Sequence, residues 1–184
     1  PNNKVVCDLP AYTVDVRTGY FSGEPVVFDS PNEEQHKAIR EIIEYNCFQD
    51  LNTELDVMTS IYGHAFMIVY IDEDGLIRMG VDDPYNTIVI HDNSIEHKVM
   101  GALRYYEYND AVTHKDNIQI TLYTKDTIYE LDGPVTSPVV ISEQLNVFGD
   151  IPVIEFMENS NRCGSYEKAI SIVDAIESIL SSTI

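Results

Sequence analysis

The apolar period of this chain changes once, at Gly63, and that change limits what the chain can fold into. Upstream, Leu51, Leu55, Met58 and Tyr62 recur at helical spacing, and Gly63 is placed to end their helix. Downstream, "HAFMIVYI" (64–71) is dense in strand formers, "DEDG" (72–75) makes a tight turn, and "LIRMGV" (76–81) returns as a hairpin partner. "DDPYN" (82–86) turns again before "TIVIH" (87–91). Strand patterns continue through "KVMGALRYYEY" (98–108), "NIQITLYT" (117–124) and "TIYEL" (127–131). Residues 133–149, with Pro134 and Pro138, are weakly patterned. "PVIEF" (152–156) is a last short strand, and "ENSNRCG" (158–164) is a polar loop.

The first third reads as mainly helical. "SPNEEQHKAIREIIEYN" (30–46) carries Ser30 as an N-cap, Pro31 at the first helical position and Glu33 and Glu34 at the positive helix end. Ile39, Ile42 and Ile43 form its apolar stripe, and residues 46–50 break it from the next helix. "AYTVDVRTGYFSG" (11–23) is ambiguous, because Val14, Val16 and Thr18 are β-branched; Gly23-Glu24-Pro25 ends it in either state. A last helix begins near Ser165. Its stripe of Tyr166, Ile170, Val173, Ile176 and Leu180, widened by Ile172 and Ile179, reaches Ile184 without a stop signal. The expectation is an α+β fold in a single domain over 1–184: helices to residue 63, an antiparallel meander over 64–158, and a helix over 165–184 that is truncated at the chain end.

Charge narrows the functional classes. The chain holds 31 acidic against 11 basic side chains, a formal net charge of −20. Lys and Arg displacing counterions drive non-specific DNA binding, so this surface should not grip nucleic acid or an anionic membrane. It remains compatible with a protein past which DNA moves without sticking. The three cysteines, Cys7, Cys47 and Cys163, are far apart and form no CxxC, which argues for reduced thiols rather than a disulfide framework. The longest apolar runs are strand-length, too short to span a bilayer as helices. The chain begins at Pro1 without Met, as an excised piece would.

Few residues invite a chemical reading. The turn at 72–75 is not a calcium loop, since the places for an earlier acid and a later Glu hold Tyr70 and Val81. His91 and His97, with Asp92 and Glu96 between them, could meet around a metal, yet zinc needs three or four supported ligands, and a solvated turn explains them better. Cys163 lies just before a helix, which can activate a thiol, but its flanks match no nucleophile motif. No GxSxG, HExxH, Walker or GxGxxG motif occurs. Acidic pairs such as Asp82-Asp83 are expected by chance in so acidic a chain. No catalytic, metal or cofactor residue is nominated.

Several stretches in order do resemble one family. "VDVRTGYFSGEPV" (14–26), the segment from residue 50 to 92, "ALRYYEY" (102–108), "LYTKDTIYEL" (122–131) and "FGDIPVIEFMENSNRCGSYEKAISIVDAIESILS" (148–181) are similar to the portal proteins of tailed phages, in the branch typical of long-tailed phages of Gram-positive bacteria. Tyr62, Gly63, Asp74, Gly75, Pro84, Gly149, Asp150 and Pro152 match that pattern, and all have structural readings as helix ends, turns or strand starts. His91, His97 and Cys163-Gly164 depart from it.

The resemblance implies an N-terminal, wing-region portion of a portal subunit, with the last helix docking on further chain. It implies a ring, usually of twelve subunits, at one procapsid vertex. Such a ring works with terminase, capsid or scaffold and head-tail connector proteins, and double-stranded DNA passes through it. It implies assembly in the bacterial host cytoplasm and residence in the virion, with no catalysis and no cofactor. This portion alone is expected to be monomeric or weakly associated. Two other classes stay open: an acidic adaptor or nucleic-acid mimic, favoured by a gene that ends at Ile184, and a cysteine hydrolase using Cys163 with a distant histidine, which alkylation kinetics would expose.

Overall fold

A computed structural model describes residues 5–111 and 114–183. Three helices, α1 (Leu9–Phe21), α2 (Glu33–Tyr45) and α3 (Phe48–Tyr62), lead into eight strands. The strands are β1 (His64–Ile71), β2 (Ile77–Asp82), β3 (Thr87–His91), β4 (Val99–Asn109), β5 (Asp116–Tyr123), β6 (Thr127–Pro134), β7 (Val139–Leu145) and β8 (Val153–Met157). A 3-10 turn over Glu167–Ala169 precedes α4 (Ile170–Thr183). The α+β class and the C-terminal helix are as expected.

The strands form two sheets rather than one continuous meander. β1 is the centre of a three-stranded sheet between β2 and β8, while β3 to β7 make a five-stranded antiparallel meander in sequence order. The chain divides into two compact units, Pro1–Ala65 with Phe156–Ile184, and Phe66–Glu155.

In the first unit α1 packs on α3. Val14 and Thr18 of α1 and Leu55, Thr59 and Ser60 of α3 are the buried positions. The ambiguous 11–23 stretch is helical because this packing outweighs its β-branched propensity. The buried line on α3 is more polar than the stripe read from sequence, and Tyr62 lies at its exposed end. On α2 the cap is Asn32, not Ser30. The Asn32 Oδ1 accepts from the amides of Glu34 at 2.9 Å and Gln35 at 3.2 Å, which leaves Pro31 just before the cap rather than at the first helical position. The 165–184 helix also starts later than expected: Tyr166 and the 3-10 turn intervene, and α4 begins at Ile170.

In the second unit Phe66, Ile68, Ala102 and Val153 form the core, with Val89, Tyr123 and Ile151 packed against them. The 72–75 turn is fixed by the Asp72 carboxylate, whose Oδ1 accepts from the amides of Asp74 at 3.1 Å and Leu76 at 2.8 Å. β7 falls inside the 133–149 range that had no clear pattern. Every one of its residues but Ser142 is exposed, so no apolar/polar alternation marks it.

Candidate functional site

Charged and close-packed groups concentrate at one place in the first unit. Arg17 on α1 donates from Nη1 to Asp56 Oδ1 and, at 2.6 Å, to Ser60 Oγ, both on α3. Its Nη2 faces Glu158 Oε2 just after β8. Ser22 Oγ donates to the other Asp56 oxygen at 3.1 Å, and Ser165 Oγ donates to Glu158 Oε1 at 2.8 Å. The Asp56 and Glu158 side chains are 10% and 13% exposed, so one guanidinium answers two nearly buried carboxylates. Phe21, Val26, Leu55, Phe156 and Met157 add apolar walls to a cleft of about 380 Å³ beside them. The two carboxylates that accept from serine hydroxyls are both ion-paired to Arg17. The chemistry of this set is to tie α1, α3 and the segment after β8 together.

Two glycines bring the same parts into backbone contact. Gly63, with φ +83°, caps α3, and a Cβ there would stand 2.0 Å from the Arg162 carbonyl oxygen. A Cβ on Gly164 would stand 2.4 Å from the Ile61 carbonyl oxygen. Ser165 N donates to Ser60 O at 2.8 Å, and Glu158 N to Gly63 O at 2.9 Å. Gly164 was visible in sequence only as part of a departure from the family pattern. Its contact with Ile61, a hundred residues earlier, has no local signal.

Cys163 belongs to this loop as a structural residue. Its amide donates to Asn159 Oδ1 at 3.1 Å, its carbonyl accepts from Asn159 Nδ2 at 2.7 Å, and its Sγ lies 3.6 Å from Asn161 O. No base is among these partners. On α4, Ile172 and Ile179 are 62% and 65% exposed, so the apolar face expected to dock on further chain is open.

In the second unit, Asp82 at the end of β2 accepts from Arg104 Nε at 2.6 Å and Thr87 Oγ1 at 2.9 Å. The strand registers place Thr87, Arg104, Thr121, Glu130 and Ser142 in one row across the five-stranded sheet. Arg104, Thr121 and Glu130 of this row border a groove of about 670 Å³, together with Ile68, Val81, Tyr123 and Phe148. Burial pushes the Tyr123 phenol above its ordinary value; the nearby Arg104 works against that, while Asp82 and Glu130 reinforce it. The raised group keeps its proton in the fold when the unfolded chain loses it. Its contribution is therefore complete below pH ~10 and is lost as pH rises through the folded value. As pH rises above about 10, the denaturant midpoint of the native chain should fall relative to that of Tyr123→Phe, which has no phenol to titrate. Parallel pH profiles would show Tyr123 to be solvated.

The 91–98 loop is held by its own hydrogen bonds. His91 Nδ1 lies 2.9 Å from the His97 carbonyl oxygen. Asp92 Oδ1 accepts from Ser94 N, Ser94 Oγ and Lys98 N at 3.1, 2.6 and 3.0 Å, and these bonds, the Ser94 hydroxyl first, hold its carboxyl below the usual range. Among the described residues no three His, Cys, Asp or Glu side chains group as a metal site would need. No described helix is long and apolar enough to cross a membrane.

Asn146 was not singled out in sequence, yet it organises the 146–150 turn. Its Nδ2 donates to Thr124 O and Asp150 O, both at 2.8 Å, and its Oδ1 accepts from Phe148 N at 3.1 Å. It is 5% exposed. The family-matched positions lie where expected: Gly63 caps α3, Gly75 and Pro84 sit in turns, Asp150 Oδ1 accepts from Ile151 N, and Pro152 O accepts from Val69 N.

Comparison with known proteins decides what this architecture belongs to. Residues 1–184, the whole chain, match the family described as "Phage portal protein, SPP1 Gp6-like". The chain belongs to that portal family. It is 26% identical to the portal protein of Bacillus phage SPP1, over 92% of this chain and 36% of the relative. It is also 26% identical to the portal protein of Clostridium phage phiCD119, over 98% of this chain and 44% of the relative. This member of the SPP1 Gp6-like portal family thus spans less than half the length of the curated relatives it matches.

Proposed function

We propose that this chain is part of a non-enzymatic, ring-forming portal subunit through which double-stranded DNA is packaged into a phage capsid and later ejected. The family match along all 184 residues carries the reading. In this role the subunit's first partner is itself, in a closed ring at the portal vertex of the virion. Terminase, capsid or scaffold proteins and the head-tail connector dock on that ring. DNA is a passing cargo rather than a bound ligand, which suits a chain of net charge −20 that has few cations to retain phosphates.

The test is negative-stain electron microscopy, with light-scattering mass, of the protein expressed from its complete reading frame. The expected result is a ring with a central hole and cyclic symmetry of about a dozen copies. A monodisperse monomer or dimer would overturn the proposal.

A further inference from the structure

The five-stranded sheet of the second unit is open at both ends, and its two edges are unlike. Among the described residues β3 pairs only with β4, and β7 only with β6. Each edge strand exposes apolar side chains: Ile88 and Ile90 on β3 at 51% and 43%, Val139, Val140, Ile141 and Leu145 on β7 at 56–77%. Open strand edges present unpaired backbone groups to any other strand, and proteins ordinarily block them with Lys or Pro. Neither strand contains either residue, and the two together carry a single carboxylate, Glu143, in a chain of net charge −20. Like-charge repulsion between copies is therefore weak where it would otherwise forbid contact.

We propose that β7 of one copy pairs with β3 of the next, so that the meanders of neighbouring subunits join edge to edge. The inference rests on the ring assembly proposed above, because a ring needs a heterologous contact in which two different surfaces of one chain meet. An open sheet with two different free edges is such a pair of surfaces. The strand directions add a constraint. In an antiparallel meander β3, β5 and β7 run the same way. A ring of about a dozen copies turns each by only roughly 30°, so β7 and the incoming β3 are parallel. A two-fold dimer through β7 alone would instead be antiparallel.

The register indicates which side chains come together. The β6–β7 pairing shifts between Glu130 and Leu131, leaving Ile141 without a cross-strand partner, while 142–145 pair regularly. On β3 the regular stretch is 87–90, of the same length. Ile88, Leu103, Leu122, Tyr129 and Glu143 line up across one face of the sheet. Ile88 and Glu143, and equally Ile88 and Leu145, therefore share a face when the sheet is extended into the next copy. Adjacent strands are about 4.8 Å apart, within the reach of a disulfide.

The test uses the protein from its complete reading frame, with Cys7, Cys47 and Cys163 replaced by serine. The variants Ile88→Cys/Glu143→Cys and Ile88→Cys/Leu145→Cys are oxidised and run without reductant, and particle mass is measured in parallel. The expected result is a ladder of species well beyond dimer in at least one double variant, collapsing to monomer on reduction, with no ladder from any single variant. Rings without a ladder in either double variant would overturn the edge pairing and leave the ring reading standing. Efficient dimers from Glu143→Cys alone would mean two-fold pairing, and would overturn it as well. Absence of both rings and ladders would overturn the ring reading, and this inference with it.

Discussion

Gly63→Ala is expected to destabilise the chain by about 2–5 kcal/mol, a large part of the total stability of an ordinary domain. Two penalties combine at this position. The left-handed backbone at φ +83° costs any side chain about 1–2 kcal/mol. The new methyl must also displace the Arg162 carbonyl 2.0 Å away, and such overpacking adds about 1–3 kcal/mol. Two other glycines separate the terms. Gly75 has φ +78° and open space around it, so Gly75→Ala carries only the conformational penalty of about 1–2 kcal/mol. Gly164 meets the Ile61 carbonyl at 2.4 Å without a positive φ, so Gly164→Ala carries only the steric one. Urea midpoints of the three variants should place Gly63→Ala well beyond the other two. If it costs no more than Gly75→Ala, the backbone at 162–164 does not lie against the end of α3.

Arg17→Met should cost about 3–5 kcal/mol, because it strands Asp56 and Glu158 without a cation in a place where water is scarce. An exposed pair such as Arg40 with Glu44 is expected to lose far less on the same treatment, because water and salt screen it. The loss at Arg17 is mainly a desolvation effect rather than a missing attraction. Adding Asp56→Asn and Glu158→Gln to Arg17→Met should therefore restore most of it, since the stranded charges are gone. Equilibrium unfolding of the single and triple variants distinguishes the two causes. A triple variant as weak as the single one would assign the loss to packing of the arginine stem instead.

The residues that announce themselves in the sequence are those whose structural roles are local. Gly63 ends a periodic helix, "DEDG" closes a hairpin through Asp72, and the β3–β6 strands carry enough β-branched and aromatic residues to be read directly. Errors arise where a competing local choice is available. Ser30 and Asn32 are both good caps, and only Asn32 reaches the free amides. β7 lacks alternation because neither of its faces is buried. The Arg17 cluster and the Gly63–Gly164 contacts are illegible for a different reason. They join segments from 39 residues apart (Arg17 and Asp56) to about a hundred or more, and neither spacing nor charge order encodes such a meeting. Family membership was legible because it depends on the order of turns and helix ends, which are local.

The division into units has a kinetic consequence. Within the 66–155 unit β1–β2 and the β3–β7 meander are hairpins whose loops close over a few residues, and the β1–β8 pairing closes the one long loop. The first unit joins positions as distant as Cys7 and Glu177, 170 residues apart. Closing a loop of about 90 residues by itself would cost roughly 4 kcal/mol of chain entropy. Once the hairpin unit is formed, however, the strands at its two ends, β1 and β8, are already neighbours, and the remaining search is short. We expect the meander to form first, with the Arg17 bonds made on the native side of the barrier. Substitutions at Arg17, Asp56 or Gly164 accordingly shorten the lifetime of the folded state and leave the folding rate nearly unchanged.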